Sequence, residues 1–291
     1  MSEWSGKSKG NALGYSIFIF IIKRLGIVFS YFFLVFVATH FVLFARKETQ
    51  AIVFYSRKIL KKGRFNTFLF LFKNFYTFGQ TIIDKIAIRG GLSEKYKFEF
   101  NNYKEFLSVL DSQQGVIMLG AHIGCWEVGA PFFDDYAKKI NVVMYDGEYQ
   151  NIKHIIEENN GEGDSFHVIP IKEDDFSHVF KIKDALDANE YVCFQGDRYM
   201  GEKNVLETTF MGQEAKFPLG PFLLASKFNV PVVSYFAMRE RNKTYRFNFI
   251  IHPNKGKQRP EEILNEYVKN LEDIVKRYPE QWFNYYKFWK E

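Results

Sequence analysis

Apolar positions along the chain fall into two regions with different periodicities. The first region is dominated by long apolar runs, above all residues 26–44 (GIVFSYFFLVFVATHFVLF), which approach the roughly 20 residues of a bilayer-spanning helix. Beyond Gly90 and Gly91, short apolar runs of strand type alternate with helical periodicity. The pattern therefore predicts an N-terminal helical segment followed by an α/β domain.

Strands and helices alternate in the predicted α/β domain. Strands are expected at residues 116–119, 141–145, 191–194, 231–237 and 245–252. Helices are expected after Glu127, at residues 176–188 and 219–228, and at 263–278, where apolar residues mark one helical face; residues 48–89 also have a helical, amphipathic pattern. This order predicts a mixed sheet sandwiched by helices.

The N-terminal apolar run predicts attachment to a membrane. Residues 1–48 are interpreted as a membrane-associated helical segment and residues 49–291 as the catalytic domain. Two arrangements stay open for the run: a helix that spans the bilayer, or one that lies in the plane of the interface. A cleaved secretory signal is not expected, because the run is long and lacks a small-x-small cleavage site. The aromatic stretch at 282–289 (WFNYYKFW) is also typical of a bilayer interface.

Composition narrows the class of protein. Hydrophobic residues make up 47% of the 291 positions and charged residues 25%, which argues against a disordered chain and against a polytopic transporter. The net charge of +5, concentrated near the N terminus, suits an anionic membrane surface, and no nucleic-acid partner is expected. Cys125 and Cys193 have no metal-ligand spacing, so a reducing, cytosol-facing compartment is expected and no metal site is predicted.

One motif contains candidate acid–base chemistry. In residues 115–130 (GVIMLGAHIGCWEVGA), an apolar strand ends in Gly-Ala and leads to His122, with Glu127 five positions later. If the backbone turns between them, the carboxylate can orient the imidazole, which then deprotonates an acceptor hydroxyl. The bare spacing is equally that of a structural histidine beside an unrelated glutamate. Cys125 is interpreted as a packing residue, not as a nucleophile.

The wider context of this motif resembles a known family. His122, Trp126 and Glu127 match the HxxxxE signature of the bacterial lipid A late acyltransferases, which belong to the lysophospholipid-acyltransferase-like proteins and have a glycerolipid-acyltransferase-like fold. Downstream, residues 194–201 (FQGDRYMG) resemble the family's Asp-containing loop, and residues 209–220 (TFMGQEAKFPLG) its Gly and Pro-x-Gly segment. The resemblance covers nearly the whole chain.

The resemblance implies specific roles for residues of this chain. His122 is expected to be the general base and Glu127 its orienting partner. Asp197 and Arg198 are expected near the acceptor or the carrier phosphate, although Asp197 is also compatible with a loop cap and Arg198 with a surface cation. Trp126 and Lys216 are further candidates for substrate binding. No cofactor is expected, because acyl-acyl carrier protein or acyl-coenzyme A enters as a co-substrate.

The implied activity is transfer of a fatty acyl group to a hydroxyl of a lipid A precursor at the cytoplasmic face of the inner membrane. The expected partners are membrane lipid, acyl carrier protein and a lipid-like acceptor. The family usually has an arginine between the His motif and the Asp loop, whereas residues 146–189 contain none. Lys153 and Lys172 are the candidate substitutes there, as point charges that lack the fork of arginine. The same chemistry on an aryl polyene pigment, an aminolipid or a lysophospholipid therefore stays open. A second alternative is that the protein is a non-catalytic membrane scaffold of the same fold.

Overall fold

The computed structural model describes residues 12–112, 114–129, 139–150, 166–172, 175–201, 203–253 and 256–289. Its main helices are α1 (Ala12–Phe44), α2 (Arg46–Phe54), α3 (Arg64–Ala87), α4 (Tyr103–Leu110), α5 (Ser177–Asp187), α6 (Leu219–Phe228) and α7 (Pro260–Arg277). Its strands are β1 (Lys97–Asn101), β2 (Val116–Gly120), β3 (Ile140–Tyr145), β4 (His167–Ile171), β5 (Tyr191–Gln195), β6 (Val205–Phe210), β7 (Gln213–Pro218), β8 (Val232–Arg239) and β9 (Thr244–Ile251). Single π-helical turns extend α2 at Tyr55–Ile59 and α3 at Ile88–Leu92, and 3-10 turns include Trp126–Gly129 and Pro279–Gln281.

Seven of these strands form one mixed sheet in the order β1-β9-β8-β2-β5-β3-β4. Neighbouring strands are parallel except β8 and β9, which are antiparallel. All residues of the central strand β2 are buried, as expected for a strand with helices over both faces of its sheet. Strands β6 and β7 form a separate antiparallel hairpin. The structure confirms the predicted fold class, a sheet flanked by helices with an apolar N-terminal helix.

Alternate residues of β2 point to opposite faces of the sheet and belong to different parts of the core. Ile117 and Leu119 lie in the cluster that includes α5, α6 and α7. Val116 and Met118 lie in the cluster that includes α3 and α4. Helix α1 packs against α3 on the second face. The sheet is therefore covered on both sides, and its strand ends are left to form loops.

The C-terminal helix α7 begins with sequence signals typical of a helix start. Pro260 is at its first position, and the Glu262 carboxylate accepts a 2.9 Å hydrogen bond from the Arg259 backbone N–H. Its apolar face, which includes the fully buried Tyr267, packs on the sheet. This helix confirms the periodicity of residues 263–278 and delivers Tyr267 to the end of β2.

Apolar runs predicted the central elements better than the peripheral ones. The five predicted strands correspond to β2, β3, β5, β8 and β9, and helix α6 has the predicted bounds. Strands β1, β4, β6 and β7 were not predicted, because they are short and partly exposed and carry polar residues. The predicted helix at 48–89 is interrupted before Arg64, and most of the helix expected after Glu127 falls outside the described residues. The division at residues 48 and 49 stays a prediction.

Candidate active site

The register of β2 against β5 brings His122 next to Asp197. Gly120 and Gln195 are paired across these parallel strands, and each is the last residue of its strand. His122 and Asp197 each follow two residues later, so the chain delivers both side chains to the same edge of the sheet. This is the carboxyl edge, where open α/β sheets place their ligands.

Asp197 holds His122 through two hydrogen bonds. Its Oδ2 accepts from the His122 backbone N–H at 2.9 Å, and its Oδ1 lies 2.8 Å from the imidazole Nδ1. The Asp197 side chain is 2% exposed, whereas the His122 side chain is 21% exposed. The carboxylate is therefore buried behind an imidazole that stays partly open to solvent.

The charge of the Asp197 carboxylate follows from its surroundings. Burial raises the pKa of Asp197, but the charge and hydrogen bonds of His122, together with the Arg198 guanidinium, lower this pKa by more, so that it lies below the usual range. Asp197 is therefore ionised at neutral pH. An ionised carboxylate at Nδ1 favours the tautomer that carries its proton on Nδ1, which leaves Nε2 as the acceptor.

Contacts to the strand ends fix the loop that contains Asp197. The Gly196 N–H donates to the Gly120 carbonyl at 2.9 Å, and the Tyr267 hydroxyl of α7 donates to the same carbonyl at 2.8 Å. The Tyr286 hydroxyl donates to the Asp197 carbonyl at 3.0 Å. A Cβ at position 196 would lie 3.0 Å from Tyr267 Cζ, so the glycine allows the Tyr267 ring to approach the loop. These contacts hold the ends of β2 and β5 to each other, to α7 and to the C-terminal segment.

The C-terminal aromatic stretch packs around the loop that contains His122. The Phe283 N–H donates to the His122 carbonyl at 2.8 Å, and Ile123 forms an isolated bridge with Trp282. The Arg198 Nη2 donates to the Phe283 carbonyl at 3.2 Å. Several of these aromatic rings are buried: Trp282, Phe283, Phe288 and Trp289. The interfacial location predicted for residues 282–289 is therefore wrong for these rings, because they complete the core next to the site.

Glu127 does not form the contact with His122 that the motif predicts. After His122, Gly124 adopts a left-handed conformation (φ 61°), and the Cys125 N–H donates to the Ala237 carbonyl of β8 at 2.9 Å. The chain therefore crosses β8 toward α3, where Glu127 Oε1 lies 3.0 Å from Lys85 Nζ. The structure corrects the predicted pairing, since the carboxylate at the imidazole belongs to Asp197.

Glu127 lies in a basic environment on the α3 side of the site. Burial raises the pKa of Glu127, but the charges of Lys85 and Arg89 and the hydrogen bond from Lys85 outweigh this effect, so its pKa lies below the usual value. The Glu127 side chain is 28% exposed and that of Lys85 17% exposed. The pair is therefore partly screened by solvent, and its contribution to stability is modest.

The other predicted binding residues lie in different surroundings. Arg198 is next to Asp197 and contacts the C-terminal segment, as described above. Trp126 lines a pocket and meets the Phe166 ring edge-to-face at 5.8 Å between centroids. Lys216 is on β7, where its Nζ lies 3.9 Å from Glu207 across the hairpin. Lys153 falls outside the described residues. The substrate-binding roles of Arg198, Trp126 and Lys216 stay predictions.

A mainly apolar pocket lies beside the ends of β2 and β5. Its lining combines residues of the sheet with two aromatic residues of the loops: Met118, Gly120, Ile140, Cys193, Phe194, Gln195, Tyr235, Trp126 and Phe166. Gly120 and Gln195 connect this pocket to the His122 and Asp197 loops. The pocket and the two loops therefore share the ends of β2 and β5.

The two cysteines are poor nucleophiles in this environment. Burial, followed by the charge of Glu127, raises the pKa of the Cys125 thiol far above its ordinary value. Burial also raises the pKa of Cys193 to about 12. Both thiols are therefore protonated at neutral pH, whereas the thiolate is the reactive form. This agrees with the interpretation of Cys125 as a packing residue. Among the described residues, none forms a group of three or more His, Cys, Asp or Glu side chains suited to a metal ion.

Sequence reasoning placed Asp197 near the substrate and missed its pairing with His122. The signal was present: His122 and Asp197 each follow shortly after a predicted apolar strand. His122 and Asp197 are, however, 75 residues apart in the chain. The periodicity does not show that the strands before them are neighbours in the sheet. Tyr267 and Tyr286, which hold the loops, had no recognisable signal.

A protein-family model described as bacterial lipid A biosynthesis acyltransferase matches residues 70–291. This range contains the whole sheet, the His122 and Asp197 loops and the aromatic C-terminal segment. It begins within α3, so α1 and α2 precede it. No curated protein matches the chain.

Proposed function

Because the chain belongs to the bacterial lipid A biosynthesis acyltransferase family, we propose that His122 is the general base in transfer of a fatty acyl group from a carrier thioester to a hydroxyl of a lipid A precursor. The observation that carries the proposal is the imidazole itself. It is partly exposed at a strand end and held from behind by the buried carboxylate of Asp197.

The proposed reaction is a direct transfer. His122 Nε2 takes the proton of the acceptor hydroxyl as the hydroxyl oxygen attacks the thioester carbonyl carbon. The tetrahedral intermediate collapses, the carbon–sulfur bond breaks, and the leaving thiolate receives the proton from the imidazolium. General-base catalysis of this kind contributes roughly 10²–10⁴-fold to a rate. No covalent acyl-enzyme is needed, which agrees with the raised pKa of both thiols, Cys125 and Cys193.

Asp197 is a positioning residue in this mechanism. Its carboxylate selects the imidazole tautomer that leaves Nε2 free to accept a proton, and its charge stabilises the imidazolium formed after proton transfer. Glu127, the orienting partner expected from the motif, pairs instead with Lys85 of α3.

We propose that the acyl chain of the donor enters the protein at the apolar pocket; the free volume there is about 20 Å³, so the lining side chains must move apart to admit the chain. Its lining residues Met118, Ile140 and Cys193 lie on the sheet, below the loop that contains His122. A chain bound there would place its thioester carbonyl toward the imidazole. Each buried methylene contributes about 0.8 kcal/mol, so the depth of the pocket would select chain length. We propose acyl carrier protein as donor, with acyl-coenzyme A as the alternative.

We place this reaction at the cytoplasmic face of the inner membrane. The family name and the apolar helix α1 support membrane association, and the reduced cysteines fit a cytosol-facing domain. The lack of arginine in residues 146–189 favours, as a second candidate, the same chemistry on another acceptor, such as an aryl polyene, an aminolipid or a lysophospholipid. A non-catalytic scaffold is less consistent with a histidine held by an ionised carboxylate.

Mass spectrometry of total lipids and pigments tests the proposal. Cells with the wild-type gene, with the gene deleted, and with His122→Ala are compared, and His178→Ala on helix α5 is the matched histidine control. We expect loss of one acyl chain from a lipid A species in the deletion and in His122→Ala, but not in His178→Ala. Loss of an acyl ester from a different lipid or pigment would transfer the activity to the second candidate. Unchanged lipids with His122→Ala would contradict the role of His122.

A further inference from the structure

Helix α1 packs lengthwise on α3. The rings of Phe41 and Phe75 are 5.8 Å apart between centroids, and Gly79 leaves room for Leu34, which any Cβ at that position would displace. Nearer the start of the helix, Ile27 belongs to the buried cluster that contains the C-terminal half of α3. The two helices are therefore antiparallel. From Ile27 to Phe41, α1 rises roughly 21 Å at about 1.5 Å per residue, so the contact covers most of the apolar run.

A buried polar network ties α1 to the catalytic domain. The Asp84 side chain of α3 is fully buried and accepts hydrogen bonds from the hydroxyls of Tyr31, Tyr96 and Tyr245. It also forms an ion pair with Arg239 of β8 at 2.7 Å. Tyr31 is a residue of α1. Detaching α1 from α3 would remove one donor from a buried carboxylate, which is unfavourable.

Because α1 is packed on α3 in this way, it cannot cross a bilayer unless α3 also enters the membrane. Helix α3 is in contact with the active-site region, since Asn74 Nδ2 donates to the carbonyls of Glu280 at 3.0 Å and Trp282 at 3.3 Å. An upright α1 would bring α3, the Asp84–Arg239 pair and part of the site to the depth of the hydrocarbon. Charged groups are costly there, and the site would lose contact with the aqueous phase.

The outer face of α1 is apolar and exposed. Val28, Phe32 and Phe36 repeat every four residues and are 78%, 60% and 59% exposed, so they form one stripe along the helix. Phe65 and Phe68, which are 74% and 58% exposed, lie at the start of α3, beside the C-terminal end of the antiparallel α1. An exposed apolar surface of this kind marks an interaction site.

Positive charge borders this face. Residues 17–64 contain one acidic residue, Glu48, and the following basic residues: Lys23, Arg24, Arg46, Lys47, Arg57, Lys58, Lys61, Lys62 and Arg64. Lys23 and Arg24 are exposed and precede Gly26, where the helix is kinked with a φ of 83°. Apolar side chains flanked by cations are typical of a helix that lies in the interface of an anionic bilayer.

We propose that α1 lies flat in one leaflet of an anionic bilayer and does not cross it, with the stripe of Val28, Phe32 and Phe36 in the acyl region and the cations at the headgroups. The proposal rests on the membrane association included in the proposed function and adds its geometry. The family match begins at residue 70, so this membrane-facing surface is a property of the segment that precedes it.

Cysteine labelling from one side of the membrane tests the geometry. Ser5→Cys and Lys104→Cys are introduced separately, and the unaltered chain, with its buried Cys125 and partly buried Cys193, provides the background. A membrane-impermeant maleimide is applied to intact spheroplasts and to inverted membrane vesicles. We expect both positions to be labelled in the inverted vesicles alone. Labelling of the two positions from opposite sides would overturn the proposal, because a spanning helix separates them.

Flotation with vesicles tests the surface. Purified protein is mixed with vesicles of phosphatidylethanolamine and phosphatidylglycerol, and the Phe32→Glu/Phe36→Glu variant is compared with Phe180→Glu, which alters a 71% exposed phenylalanine on α5. We expect at least about tenfold weaker vesicle binding for the first variant and wild-type binding for the second. The proposal would be overturned if both variants bound vesicles as the wild type does. It would also be overturned if the wild-type protein did not bind vesicles and instead formed a dimer that Phe32→Glu/Phe36→Glu disrupts.

The chemistry is measured separately in detergent with a soluble acyl donor. We expect His122→Ala to lose transfer activity but to keep its vesicle binding and its labelling pattern. The Phe32→Glu/Phe36→Glu variant is expected to show the opposite combination. Failure of the proposed function and failure of the proposed membrane geometry therefore give different results.

Discussion

Two histidines lie at opposite ends of the strands of the same sheet and have opposite environments. His122 follows the carboxyl end of β2, is 21% exposed at its side chain, and contacts the buried carboxylate of Asp197. His252 follows the last strand, β9, and its N–H donates to the carbonyl of Val232, at the amino end of β8. Because β8 is parallel to β2, this is the edge away from the candidate active site.

The partner of each imidazole differs as much as its exposure. His252 is 6% exposed, and its Nε2 lies 2.8 Å from the hydroxyl of the fully buried Ser234. Burial lowers the pKa of His252 to about 4, with no carboxylate to oppose this effect. His252 is therefore neutral and structural. Two features therefore distinguish the candidate general base from the structural histidine: a carboxylate that can stabilise the charged imidazole, and a ring nitrogen that can reach a substrate.

The largest expected effect is on turnover, and it distinguishes the two histidines. His122→Ala is expected to lower turnover of the folded protein by roughly 10²–10⁴-fold. It also removes one hydrogen-bond partner from the buried Asp197 carboxylate, so some loss in the free energy of unfolding is expected as well. His252→Ala is expected to lower the free energy of unfolding, since it leaves a cavity and removes the partner of Ser234. Acyl transfer by folded protein and urea unfolding are measured for both. A stable His252→Ala variant that is inactive would contradict the comparison.

The next effect is on stability at acidic pH. The pKa of His252 is about 4 in the folded chain and near 6.5 when unfolded, so the unfolded state binds more protons between these values. Stability is therefore complete above about pH 6.5 and falls as the pH decreases toward 4, by about 3 kcal/mol at most. Urea unfolding at a series of pH values measures this loss. The His252→Gln variant, which cannot titrate there, is expected to lose less stability over the same interval, and an identical profile would assign the loss to other groups.

The smallest effect distinguishes the two carboxylates near the site. Asp197→Asn is expected to lower kcat by roughly 10–100-fold, because the amide neither stabilises the imidazolium nor enforces its tautomer. Glu127→Gln is expected to have the smaller effect on kcat, within about threefold, and to cost up to about 1 kcal/mol of stability through the partly exposed pair with Lys85. Steady-state kinetics of the two variants measure kcat, and circular dichroism checks that each variant folds like the wild type. A larger loss with Glu127→Gln would return the orienting role to the HxxxxE motif.

The part of the candidate site that was predicted is the part encoded locally. The apolar run before His122 identified β2, and the small residues after it identified the loop, so His122 was singled out from the sequence alone. The assignment of Glu127 as its partner followed the family motif and required the backbone to turn between the two residues, with a helix that starts near Trp126. The left-handed Gly124 and the backbone contact of Cys125 with Ala237 direct the chain elsewhere, and neither is visible in the spacing.

The same distinction holds for the aromatic residues at the two ends of the chain. Hydropathy identified the apolar run of α1, and the structure leaves much of it exposed, which is the basis of the membrane-facing surface proposed above. The equally aromatic segment at 282–289 is largely buried, because its rings pack against Tyr55 and Phe210 near the site. Composition alone does not distinguish a ring that faces lipid from one that faces the core.

The sequence by itself determined the alternating elements, the α/β class and the apolar N-terminal helix, and it singled out His122 as the candidate base, because periodicity and residue chemistry are local properties. The tertiary structure decided which strands are neighbours, and thereby that Asp197, 75 residues away, lies at the imidazole. It also decided that α1 packs along α3 instead of standing apart. Both outcomes depend on register and on packing between distant segments, which no local pattern records.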